Sequence, residues 1–303
     1  AVPCCGAGTD ELSVDRPSLE PMTAMVQTGQ PAEGAASSPD APVDQTATPR
    51  RPSLSPSRAA DFKTCPLLYR FRTIDRLPER PTPDQARGTL VHAVLERLFD
   101  LPPGERTHAA AAGLVTPQWE RLVEEAPPLA DLFAEGERET FLASAGELLE
   151  GYFAVEDPSR LEPAERESLI SAVVDERLLI RGYVDRLDVS PAGDLRVVDY
   201  KTGGAPREAF EARALFQLKF YALVLWRTRG VVPRVLRLLY LKDQEICDYS
   251  PDAEELARFE RTLVALSAAI ERAKQDKDSR PQPSRLCGWC SHQAFCPEFG
   301  GTP

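Results

Sequence analysis

One stretch constrains the fold of this chain more than any other: residues 181–204, RGYVDRLDVSPAGDLRVVDYKTGG. Two runs rich in apolar and β-branched residues flank SPAGD, a cluster of turn formers, so the segment reads as a β-hairpin. Each strand carries a carboxylate beside its apolar residues: Asp185 in the first, and Asp199 after Val197–Val198 in the second, with Lys201 two residues on. Strands of about six residues joined by a short turn bring the two acids into one region. Carboxylates held that close repel, and one stays protonated unless a cation joins them. Mg²⁺ or Mn²⁺ suits the task, because such hard ions take oxygen ligands and accept one or two carboxylates, with water and phosphate completing the shell. The backbone carbonyl of Tyr200 is a candidate further ligand. Lys201 alternates by two from Asp199 and so shares its side of the strand, where an ammonium can orient water or offset charge on a phosphate. A D-x-K on a strand is by itself often a surface ion pair. Here Asp185, the apolar flanks and Gly203–Gly204 add to it.

The rest of the chain supplies the frame. Residues 1–53 are rich in Pro, Ala, Ser and Gly and poor in aromatic and branched apolar residues, the composition of a disordered tail. The folded domain is expected over 54–299, with a helical part at 54–160, a catalytic core at 161–250, and a closing helix and cysteine motif at 251–299. Ser55 followed by Pro56 marks a helix start. A second helix is predicted within DQARGTLVHAVLERLFDLPPG, stopping before Pro102–Pro103, with Val91, Val94, Leu95 and Leu98 on its apolar face. His92 and Glu96, four apart, share another. Residues 117–155 read as helical and acidic, anchored by Trp119, Phe133, Phe141 and Phe153. Strands are predicted at 168–174, 177–189, 194–202 and 234–242. A long helix over 207–230 places Gln217 and Tyr221 on one face, and an amphipathic helix covers 251–276. The expected class is α/β, a central mixed sheet flanked by helices.

The net charge of -11 argues against a generally basic surface. The charge is uneven, with fourteen acidic against four basic residues over 119–167, but seven basic against four acidic over 58–87. That basic segment, with Lys219 and Arg227, is the expected guide for a phosphate backbone. No apolar run reaches membrane-spanning length and no basic-then-apolar leader opens the chain, so a cytoplasmic protein is expected. There is no GxxxxGK[ST] phosphate loop, so nothing in this sequence suggests a built-in ATP motor.

Near the C-terminus, CGWCSHQAFCPEF sets Cys287, Cys290 and Cys296 in a C-x2-C-x5-C pattern. A four-thiolate site needs one more ligand. Cys65, followed by proline as Cys296 is, is the best candidate, with His292 as an alternative. Four thiolates also suit zinc. Cys247 reads as a buried or strand cysteine, and Cys4–Cys5 fall in the tail.

Taken in order, RGTLVHAVLERLF, GYVDRLDV, VVDYKTG and QLKFYALVL resemble successive motifs of the PD-(D/E)XK nuclease superfamily, in its RecB-like exonuclease branch. The resemblance implies a restriction-endonuclease-like core in which His92, Asp185 and Asp199 ligate the metal and Lys201 is the catalytic lysine. Gln217 and Tyr221 would support the site and contact DNA. An acid before the first core strand is also implied, and either Glu165 or Glu167 fits. The one-plus-three cysteines resemble the iron–sulfur staple of AddB-type and CRISPR-associated adaptation nucleases, which implies a [4Fe-4S] cluster on Cys65, Cys287, Cys290 and Cys296. The implied activity is Mg²⁺- or Mn²⁺-dependent hydrolysis of DNA, exonucleolytic and directed at ends or single strands, in repair or recombination, with a helicase as candidate partner. The alternative is a DNA-binding or helicase-recruiting module that keeps the fold without cutting. RNA remains open as substrate, and a redox or radical iron–sulfur enzyme lacks its signature here.

Overall fold

The computed structural model describes residues 51–134, 136–205 and 211–302, and the side chains of all these except 211–213. The tail at 1–50, with Cys4 and Cys5, and the expected helical residues 207–210 lie outside the described residues. In chain order the main elements are β1 (Ser53–Leu54), α1 (Pro56–Thr64), α2 (Pro66–Tyr69, continuing as a π-helical turn over Arg70–Ile74), α3 (Pro83–Leu98), α4 (His108–Glu125), α5 (Glu137–Val155), β2 (Glu165–Val174), β3 (Leu178–Val189), β4 (Leu195–Lys201), α6 (Glu211–Arg229), β5 (Val235–Tyr240), β6 (Glu245–Tyr249) and α7 (Ala253–Gln275). Short 3₁₀ turns carry the C-terminal cysteines.

Local chemistry sets the helix starts. Ser55 Oγ accepts the Arg58 N–H at 3.3 Å, and Pro56 opens α1. At α3, Thr82 and Gln85 cap each other reciprocally, a signal the hydrophobic pattern alone does not carry. The acidic helical region divides into α4 and α5 at Pro127–Pro128, where a 3₁₀ turn intervenes.

The six strands form one mixed sheet. β3 is the long central strand. β2 runs antiparallel along one edge of it, while β1 and then β4 occupy the other, β1 parallel near its start and β4 antiparallel near its end. β5 lies parallel to β4 through the α6 crossover, and β6 closes the sheet antiparallel to β5. Two expectations need correction. Ordered structure begins before the boundary drawn at residue 54: Ser53 and Leu54 pair with Leu179 and Ile180, and Leu54 is 1% exposed. β6, with the polar sequence EICDY, is not among the predicted strands, although Cys247 within it reads as a buried or strand cysteine; it is held by its ladder to β5 and by burial of Cys247.

Helices cover both faces. Against one face α1, α6 and α7 bury Leu218, Phe220, Leu256 and Leu263 with Val197 and Leu236 of the sheet. Against the other, α3, α4 and α5 bury Leu90, Trp119 and Leu149 with Val198 and Tyr200. β4 therefore feeds both cores by strict alternation, which explains its near-continuous apolar run. The approach of α5 to the sheet is so close that a Cβ on Gly151 would lie 1.9 Å from the Leu241 carbonyl oxygen. None of the described helices is long and apolar enough to cross a membrane.

Candidate active site

Strand register brings three acids into one row. Arg166 pairs with Arg186 and Ser168 with Val184, so Glu167 on β2 falls opposite Asp185 on β3. Arg186 pairs with Val198, so Asp185 in turn falls opposite Asp199 on β4. Directly opposed residues have Cβ atoms about 4.5–5.5 Å apart. At Glu167 the backbone takes φ 42°, a left-handed conformation rare outside glycine, and this kink lies at the cluster itself.

His92, from the middle of α3, closes the row. Its Nδ1 lies 3.4 Å from Glu167 Oε1 and 3.6 Å from Asp185 Oδ2, and its Nε2 is 3.0 Å from the Tyr200 carbonyl oxygen. The ligand atoms of His92, Glu167 and Asp185 all fall within 4.8 Å of one another. Asp185 Oδ2 also accepts the Tyr200 N–H at 2.7 Å. Asp199 is 1% exposed; Lys201 Nζ pairs with its Oδ2, and its Oδ1 has no hydrogen-bond partner among the described residues. Lys201 Nζ donates to Gln217 Oε1 at 3.1 Å, and Gln217 Nε2 donates to Tyr221 OH at 2.8 Å. The Tyr221 ring rests on β3 where Gly182 leaves room: a Cβ there would lie 2.6 Å from Tyr221 Cε1.

The electrostatics follow from crowding. Burial alone would lower the His92 pKa. The charge of Asp185, the hydrogen bond to Glu167 and the charge of Asp199 outweigh it and raise the pKa to about 9. Burial, then the charge of Asp199, raises Asp185 to about 7 against the pull of His92 and Lys201. Lys201 is likewise raised, since Asp199 overcomes its desolvation. Three carboxylates facing two cations leave an excess of negative charge, which a divalent cation offsets better than a shared proton. The orphaned Oδ1 of buried Asp199 is an acceptor without a donor, which fits a cation at this place.

The sequence of this chain matches the PD-(D/E)XK nuclease superfamily over residues 53–297. The chain belongs to that superfamily. PD-(D/E)XK nucleases use divalent metals, and the nuclease fold implies a nucleic-acid substrate. This PD-(D/E)XK chain is also 26% identical over 277 residues to the Gene 69 protein of Mycobacterium phage D29, covering 82% of this chain and 97% of the phage protein. The crystal structure of SSO0001 is similar with a TM-score of 0.35 at 16% identity, over 70% of this chain and 85% of that one.

Several expectations resolve differently at this PD-(D/E)XK site. Of the two candidate acids on β2, Glu167 joins the cluster, while Glu165 pairs with Arg229 of α6. Sequence parity cannot separate them, because residues two apart share a strand face. Glu96 does not partner His92; its carbonyl accepts from Arg166 and its carboxylate lies 3.8 Å from Arg97. Asp188, an odd number of residues from Asp185, lies off the row as strand alternation expects and pairs with Arg186 and Arg196, both near 3 Å. The expected phosphate guides are largely spent in ion pairs: Lys219 with Glu255, Arg227 with Glu260, Arg72 with Asp61 and Glu79, and Arg87 with Asp84. Arg186, 0% exposed, gives little signal in the sequence, since it stands between Asp185 and Leu187 in a strand that mixes charged and apolar residues.

The cysteines converge as well. Cys65, at the junction of α1 and α2, and Cys287, Cys290 and Cys296 line one cavity of about 260 Å³. Cys65 Sγ accepts the Gln282 N–H at 3.4 Å, and Cys287 Sγ accepts the Ser284 N–H at 3.2 Å. His292 is not part of that lining. It is 1% exposed, stacks edge-on against Phe71, and sets Nε2 2.8 Å from Glu79 Oε1.

Proposed function

We propose that this chain is a Mg²⁺- or Mn²⁺-dependent deoxyribonuclease of the RecB-like kind, acting on DNA ends or single strands. The observation that carries the reading is the row Glu167–Asp185–Asp199 across three adjacent strands, capped by His92 and followed on β4 by Lys201. His92, Glu167, Asp185 and Asp199, with the Tyr200 carbonyl, are the groups that would hold the ion. When bound, the ion supplies Lewis-acid charge for the attacking water and the scissile phosphate.

The protein's own groups do the rest. Asp199 keeps the Lys201 ammonium charged and directed at the acid row. Gln217, fixed by Tyr221, limits where that ammonium swings. Lys201 can then orient the water or offset charge gathering on the phosphate oxygens. A helicase partner and a role in repair or recombination follow from the RecB-like reading and from the lack of a motor motif.

The test is degradation of end-labelled single-stranded, duplex and flapped DNA, and of RNA, by wild type and Lys201→Ala. Mn²⁺-dependent cutting by wild type and its loss in the variant support the reading. No cutting by a metal-loaded wild type replaces it with the non-cleaving module.

We infer in addition that Cys65, Cys287, Cys290 and Cys296 hold a [4Fe-4S] cluster. Cys65, Cys287, Cys290 and Cys296 line one cavity, which supports a shared thiolate site for either a cluster or zinc. Backbone N–H donors to two of the sulfurs suit ligated thiolates. Anaerobic purification followed by iron, sulfide and zinc analysis distinguishes the two.

A further inference from the structure

Among the described residues Arg186, 0% exposed, is a fully buried guanidinium that the acid row does not use. A charge taken from water needs matched partners. Glu156, at the end of α5, supplies two: Nη1 to Oε2 at 2.5 Å and Nη2 to Oε1 at 2.8 Å. Asp188 Oδ1 meets Nε at 3.0 Å. Nη2 also donates to Asp188 Oδ2 at 3.2 Å. A further contact is of another kind: Nη1 donates to the neutral Tyr200 hydroxyl at 3.0 Å.

Tyr200 is the residue whose peptide groups enter the metal site. Its N–H holds Asp185 Oδ2 at 2.7 Å and its carbonyl meets His92 Nε2 at 3.0 Å. Its ring meets those of His92 and Tyr152 edge-on, each at 5.8 Å between centroids. The side chain is thus fixed inside the α3–α5 core while the backbone of the same residue orients two of the candidate ligands.

We propose that Arg186 is a positioning residue for the metal centre. Its hydrogen bond to Tyr200 fixes β4 at the point where that strand orients Asp185 and His92, and Glu156 ties this bond to the end of α5. The inference rests on the metal-centre reading above.

The experiment is Mn²⁺ binding followed by electron paramagnetic resonance on the full chain, with Tm recorded for every variant. Tyr200→Phe removes the hydroxyl and leaves the guanidinium with both carboxylates. Arg186→Lys keeps the charge but loses the forked geometry. Phe141→Leu, in the same core away from the site, controls for lost stability. Groups that orient ligands typically change metal affinity 10–100-fold when removed. Tyr200→Phe is therefore expected to weaken Mn²⁺ about tenfold, with Arg186→Lys similar and Phe141→Leu at the wild-type value. Wild-type affinity in folded Tyr200→Phe overturns the proposal, as does equal weakening in Phe141→Leu; Tyr200→Phe decides alone if Arg186→Lys does not fold. A wild type that binds no Mn²⁺ overturns the metal reading and this inference with it.

Discussion

Replacing Gly182 with alanine sets a methyl carbon 2.6 Å from Tyr221 Cε1, where ordinary contact begins at 3.4 Å, so the ring has to withdraw by 0.8 Å. It has little room to do so. Tyr221 is 4% exposed, and its hydroxyl is anchored by Gln217. Overpacking of this size costs about 1–3 kcal/mol, or roughly 2–4 °C of Tm per kcal/mol in a domain of this size. The consequence for chemistry is larger, because the displaced hydroxyl fixes the Gln217 amide that receives Lys201. A misplacement near 1 Å at a catalytic group can cost about 100-fold in rate. Thermal unfolding and Mn²⁺-dependent cleavage of end-labelled DNA, measured on the same preparations, give both quantities. The double variant Gly182→Ala/Tyr221→Leu should regain most of the Tm without regaining the rate. Wild-type stability in Gly182→Ala would refute the tight seating of the ring. Lost stability with an unchanged rate would refute the role of Gln217 and Tyr221 in placing Lys201.

Three further outcomes are expected. In metal-free buffer His92 titrates near 9 when folded against 6.5 unfolded, so its stabilisation is full below pH 6.5, is lost as pH rises through 9, and amounts to about 3 kcal/mol. The raised Asp185 carboxyl adds to the same decline as pH rises toward 7. Urea midpoints across pH 6 to 9.5 (roughly the span of these titrations) should fall steadily, and His92→Gln should flatten the upper part. Glu167→Gln should abolish cleavage and weaken Mn²⁺ binding, whereas Glu165→Gln, which loses only the pair with Arg229, should alter Tm by less than about 1 kcal/mol equivalent and leave cleavage intact. Cys65→Ser should remove the iron–sulfur absorbance of anaerobically purified protein, while Cys247→Ser, altered inside the sheet, should retain it.

The sequence displayed the hairpin, the acids Asp185 and Asp199, and Lys201 because strand periodicity and turn chemistry are local signals. Helical spacing put Gln217 and Tyr221 on one face, but only the family resemblance gave them a role at the site. His92 came from family resemblance, since nothing in local pattern joins it to the hairpin, and so did the iron–sulfur reading of the cysteines, while Cys65 was reached by counting thiolates and by the proline that follows it. What stayed hidden was set by tertiary contact. Glu165 and Glu167 are separated by what tertiary contact brings to each, Arg229 of α6 to the first and His92 with Asp185 to the second, and the basic residues taken for phosphate guides find carboxylates on neighbouring helices. β1 and β6 escaped because short or polar strands owe their form to the ladders beside them, not to their own propensity.

The bend at Glu167 has a second consequence, for solubility. Among the described residues β2 is bonded along one edge only, by β3. On its open face Leu169 is 54% exposed and Val173 43%. A straight strand with such a face is a template on which another chain can add and aggregate. The left-handed residue interrupts that template three positions from its start, and the flanking Arg166 and Glu165 add charge to the break. Straightening it, by any change that relaxes residue 167 into ordinary extended backbone, would then trade a misaimed carboxylate for a stickier protein, visible as concentration-dependent light scattering.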